Sequence, residues 1–183
     1  MRWFWIDRFI EFERGKRAAA VKGLALGEEQ IDRYMPGFPL MPHSLIVEGF
    51  AQTGGIIVSE YHHFQRQVVL AKVAKAVFHD LMLPGDLITY RVKVESLQTD
   101  GAVVTGQAHI GERLQAEVEL FFAALGPEFS RGELFEPFDF LTMMRLLRLY
   151  EVGRQEDGSP LDVPEHMLAA ERSVMGPFET PRP

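Results

Sequence analysis

The chain has 183 residues, enough for one domain with an appendage and a sizeable buried core. Its composition, 46% hydrophobic and 25% charged, is that of an ordinary globular protein. The net charge of −7 argues against a nucleic-acid binder, and the lack of cysteine excludes disulfides and thiolate chemistry.

No apolar run reaches the roughly 18 residues that a membrane span needs. The opening MRWFWIDRFIEFERGKR lacks the basic, apolar, small-residue layout of a signal peptide. A cytoplasmic setting is therefore expected. Residues 2–13 are rich in aromatic and β-branched types and alternate imperfectly, which suits a strand. Glu13-Arg14-Gly15-Lys16 reads as a turn and Arg17 to Leu26 as the returning strand.

Pro36, Gly37, Pro39 and Pro42 then crowd into a stiff loop. After Pro42 a helix is expected, with Ser44 able to cap it. Leu45, Ile46, Val47, Phe50, Ala51, Ile56, Ile57 and Val58 surround most of its axis, the pattern of a buried helix. Gly49, Gly54 and Gly55 cost such a helix roughly 1 kcal/mol each against alanine. Close approach of another backbone is the expected reason to keep them.

Four strands should follow: Val68 to His79, Leu87 to Ser96, Val103 to Ile110 and Leu114 to Leu125. The Asp100-Gly101 pair between the second and third is a hairpin signal. The last three read as a meander. The expected fold is thus α+β, an antiparallel curled sheet of about six strands around one long helix. Residues 1–126 form this domain and 127–183 a C-terminal extension. Within the extension, Phe138 to Tyr150 has helical spacing, and Met175 to Pro183 reads as a loose tail. The extension is expected to serve as a lid or brace.

Glu48 is the carboxylate out of place on this helix. It either pairs with a buried basic group or, in apolar surroundings that favour the neutral form, serves as a general acid or base. Gln52, four residues on, shares its face and can orient it. His43 stands where open backbone N–H groups can polarise an oxyanion, and its ring can carry protons. A half-exposed histidine at a helix end is the plain alternative. His62, His63 and His79 lack convincing ligand spacing, so no metal is expected.

The segment YMPGFPLMPHSLIVEGFAQTGG resembles the central motif of the FabZ/FabA-like 3-hydroxyacyl-acyl-carrier-protein dehydratases, HFPGHPxMPGxLIxEAxAQxxG. Pro36, Gly37, Pro39, Met41, Pro42, Leu45, Ile46, Glu48, Ala51, Gln52 and Gly55 match. WIDRFIEFERGKRAAAVK and AKVAKAVFHDLMLPGD are similar to flanking family segments, so the likeness runs from about Trp5 to Leu125. It implies a hotdog fold, no cofactor, and elimination of water from a 3-hydroxyacyl thioester in fatty-acid-type biosynthesis.

It further implies a site shared by two subunits of a homodimer, in which a histidine takes the C2 proton and a helix carboxylate helps the hydroxyl leave. A backbone N–H holds the thioester carbonyl. Glu48 falls on the carboxylate position and His43 on the N–H donor. Gln52, Phe38 and Gly37 fall where substrate is bound. The family's catalytic histidine, however, is Tyr34 here, and Phe38 replaces its second histidine.

A phenol is a poor base at neutral pH. Three outcomes follow: His43 takes over proton transfer, Tyr34 assists Glu48 as sole base, or the chain binds thioesters without dehydrating them. A hotdog thioesterase also uses a helix carboxylate. The implied partner is an acidic acyl carrier protein, or CoA-linked substrate, met by Arg14, Lys16, Arg17 and Arg66.

Overall fold

The computed structural model describes residues 4–126 and 136–175. A hairpin of β1 (Arg8–Glu13) and β2 (Arg17–Gly23) comes first, turning at Gly15 with φ +64°. The short helix α1 (Glu29–Asp32) and the long helix α2 (His43–Tyr61) follow. Then come β3 (Gln67–Phe78), β4 (Leu87–Gln98), β5 (Gly101–Ile110) and β6 (Arg113–Leu125). The C-terminal extension supplies α3 (Pro137–Leu146), α4 (Leu149–Val152), β7 (Gly153–Arg154) and α5 (Glu165–Met175).

The strands form one sheet in the order β3-β6-β5-β4-β2-β1-β7. All pairings are antiparallel except that of β7 with β1. Alternate residues of the central strands face inward: Ile88, Tyr90 and Val92 on β4, Val104 and Ala108 on β5, Val118 and Leu120 on β6. Against them lie Ile46, Phe50, Ile57 and Val58 of α2. This is the hotdog arrangement of a helix wrapped by a curled sheet.

Several sequence expectations need correction. The imperfect alternation of β1 comes from a bulge between Phe9 and Glu11, which turns both Phe9 and Phe12 inward. The last three strands, β4, β5 and β6, do run as a meander, but β3, whose neighbour was not foreseen, crosses to the far edge and pairs with β6. Helix α2 starts at His43 with Pro42 as N-cap, so Ser44 is not the cap. Its glycines are crowded by side chains, not backbone. A Cβ on Gly49 would lie 2.2 Å from the Tyr90 ring, and one on Gly54 3.2 Å from Phe122 and Val104.

The expected helix from Phe138 to Tyr150 breaks after Leu146. The Leu147 carbonyl accepts the Phe9 N–H at 2.8 Å, and Arg148 adopts a left-handed conformation at φ +59°. Diverting that carbonyl to β1 ends the helix and leads the chain into β7. Helix α5 was not foreseen in the sequence, and of the expected loose tail from Met175 to Pro183, residues 176–183 lie outside the described residues. Arg145 of α3 makes a two-pronged ion pair with the buried Glu171 of α5. Phe140 packs edge-on against Phe64 at 5.1 Å, which ties the extension to the end of α2.

Candidate active site

The site begins at the loop ahead of α2. Phe38 N–H donates to the Met35 carbonyl at 3.0 Å, with Pro36 second and Gly37 third at φ +83°. Proline then glycine with positive φ defines a type II turn, which this loop's sequence prescribes. Tyr34 stands beside it, 54% exposed, and Phe38 is 49% exposed. The loop's end is pinned where Met41 N–H donates to Met82 at 2.9 Å.

Helix α2 follows directly. Leu45 and Ile46 return their N–H groups to the Pro42 carbonyl. In such a first turn the N–H groups of His43 and Ser44 have no intrahelical acceptor and carry the positive end of the helix dipole. The His43 ring lies flat on Phe78, with centroids 4.0 Å apart and planes within 2°. That stack fixes the imidazole against the end of β3.

Glu48 is half-buried, less enclosed than the sequence suggested, because one flank of α2 is not covered within this chain. Its carboxylate accepts a hydrogen bond from Gln52 Nε2 at 2.8 Å. The Gln52 oxygen in turn accepts the Trp5 N–H at 2.9 Å and the Ile6 N–H at 3.4 Å. Because the backbone can only donate there, the amide must present its NH₂ to Glu48. The carboxylate is thereby aimed from behind.

The carboxylate most deeply enclosed on α2 is a different one. Glu60 is 2% exposed, and burial pushes its proton affinity up to about 7, although Arg14 Nε lies 3.4 Å away and opposes the shift. Glu60 went unnoticed in the sequence because it sits near the helix end, where charge is ordinary. Only the contact with Arg14, far away in sequence, and the cover from the extension enclose it. Tyr150 from α4 faces it, and burial and Glu60's charge both hold that phenol protonated.

His63 and His79, histidines outside the motif that were not expected to form a site, have partners of their own. His63 contacts Arg14, whereas His79 bonds Glu117. They flank opposite ends of the twelve-residue β3, roughly 40 Å of strand. Among the described residues no group of three or more His, Asp or Glu can hold a metal ion. No described helix is long and apolar enough to cross a membrane.

The four basic candidates do not form an open patch beside Glu48. Arg14 turns inward to Glu60 and Gln155; Lys16 pairs with Glu13 at 2.7 Å and Arg17 with Glu11 at 2.8 Å. Arg66 donates to the Thr99 carbonyl. The β1–β2 turn lies against the C-terminal end of α2, on the order of 18 Å along the helix from Glu48.

Residues 3–118 match the family described as the FabA-like domain. The 3-hydroxyacyl-[acyl-carrier-protein] dehydratase FabZ of Desulforamulus reducens is 36% identical over 121 residues, 64% of this chain and 84% of that protein. FabZ of Symbiobacterium thermophilum is 36% identical over 130 residues, 69% of this chain and 92% of its own.

Among solved structures, a Streptococcus mutans protein bound to acetyl CoA superposes with a TM-score of 0.56. It is 14% identical, over 69% of this chain and 94% of that one. A conserved Pseudomonas aeruginosa protein gives 0.54 at 20% identity, over 64% and 87%. These two likenesses concern the fold. The chain belongs to the FabA-like family.

Proposed function

We propose that this protein is a 3-hydroxyacyl-[acyl-carrier-protein] dehydratase, converting a 3-hydroxyacyl thioester to the trans-2-enoyl thioester and water. The observation that carries this reading is Glu48, aimed by Gln52 beside the open first turn of α2, in a chain related to FabZ enzymes. The thioester carbonyl accepts a hydrogen bond from the His43 N–H, where the helix dipole favours the charge that develops on oxygen. Glu48 takes the C2 proton. The C3–O bond then breaks, and the proton passes to the departing hydroxyl, so that water leaves and the carboxylate is restored. Tyr34 stands where the family places histidine and orients the hydroxyl. The His43 ring, stacked on Phe78, is left a packing role.

The working unit is read as a homodimer. Strand β3 is an edge strand, exposed along its middle, with Val69, Leu70 and Val73 each more than a third exposed. A long apolar edge of this kind is a template for pairing with a second chain. Such pairing would also cover the open flank of α2. The extension, residues 136–175 as described, is read as a brace on β1. Acyl groups on a carrier protein or CoA, and a chain without cysteine, fit a cytoplasmic setting.

The test is turnover of a 3-hydroxyacyl pantetheine thioester, followed by the absorbance of the conjugated product. Formation of the enoyl thioester is expected. No turnover of pantetheine-, carrier- or CoA-linked substrate overturns the reading, and release of free thiol would indicate hydrolysis instead.

A further inference from the structure

Lys22 lies near the end of β2 and is 8% exposed. A buried ammonium must find partners to offset its lost hydration. Its Nζ is 2.8 Å from Glu28 Oε1, 3.7 Å from Asp7 Oδ1 and 4.9 Å from the centre of the Trp5 ring. These three partners lead toward the candidate site by two routes.

The first route runs through Glu28. Its carboxylate also accepts the Ala25 N–H at 3.0 Å, and its backbone carbonyl accepts the N–H groups of Ile31 and Asp32. Glu28 therefore fixes the start of α1, and α1 delivers the chain to Tyr34. The second route runs through Trp5 and Asp7. Asp7 accepts the Gly23 N–H at 2.7 Å, and Trp5 donates its own N–H to Gln52, which holds Glu48.

We propose that Lys22 is a positioning residue, whose one ammonium locks together the α1 turn that leads to Tyr34 and the Trp5 segment that aims Gln52 and Glu48. This inference rests on Glu48 acting as the acid–base group. Without the ammonium, Glu28 and Asp7 are left as two carboxylates without a shared cation, and both segments lose their common anchor. Misplacement of a reacting group by about 1 Å is enough to cost on the order of a hundredfold in rate.

The experiment compares wild type, Lys22→Met, Lys22→Arg and Glu28→Gln by hydrogen exchange and by steady-state dehydration of a 3-hydroxyacyl pantetheine. In Lys22→Met, peptides covering residues 4–12 and 24–38 should exchange about tenfold faster, with the β5–β6 hairpin unchanged. Its kcat should fall about ten- to a hundredfold, with KM within about threefold. Lys22→Arg keeps the charge and should restore protection in both segments.

Should Lys22→Met fail to fold, Glu28→Gln decides: it should loosen 24–38 and lower kcat while 4–12 stays protected. Loosening of neither segment, a uniform change along the chain, or loosening with unchanged kcat overturns the proposal. A wild type without dehydration sinks the functional reading alone, because paired loosening still decides whether Lys22 joins the two segments.

Discussion

Glu48 and Gly49 are neighbours with opposite duties. Glu48 faces outward to Gln52, while Gly49 lets the fully buried Tyr90 ring come against the helix. Gly49→Ala would improve helix propensity by about 1 kcal/mol, yet its Cβ would overlap Tyr90. We expect a net loss of about 1–3 kcal/mol, typical of overpacking. Equilibrium denaturation of Gly49→Ala, Tyr90→Leu and the double variant should reveal coupling between the sites. An additive double variant would contradict the contact. The Glu48–Gln52 pair was legible in the sequence because residues four apart share a helix face. Tyr90's role was not, since a tyrosine in an alternating strand announces burial but not its partner. The backbone N–H that orients Gln52 leaves no mark in side-chain identity.

Among the elements, the β1–β2 hairpin, α2 and the three-stranded meander were readable from turn residues and period. The pairing of β3 with β6 was not, because alternation does not specify a neighbour. Nor was β7, two residues long and held between the edge of β1 and the Pro160-Leu161 backbone. The end of α2 carries a testable consequence. Glu60 is pushed up to about 7 by burial, only partly opposed by Arg14. Between about pH 4.5 and 7 the folded state then binds more protons than the unfolded one. Stability from this group is present at low pH, is lost as pH rises to about 7, and changes no further above that. The effect is on the order of 3 kcal/mol. Denaturant titrations from pH 5 to 8 should show wild type losing stability relative to Glu60→Gln, which is neutral throughout. Parallel profiles would contradict the account.

At the scale of the whole molecule, the fold buries one side of α2, leaves Glu48 half-buried on another, and leaves β3 as an exposed edge strand. The family motif made that helix and its carboxylate legible and implied a homodimer, a proposal that the exposed edge of β3 supports. Leu70→Asp/Val73→Asp, placing charge on β3, should convert a dimer to a monomer in sedimentation and abolish turnover. A monomeric wild type with full activity would contradict the shared site. The most direct test of the central claim is kcat of Glu48→Gln on a 3-hydroxyacyl pantetheine thioester. A loss of about a thousandfold or more at unchanged fold is expected, since one carboxylate carries the proton. A Glu48→Gln enzyme within tenfold of an active wild type would show that the chemistry lies elsewhere.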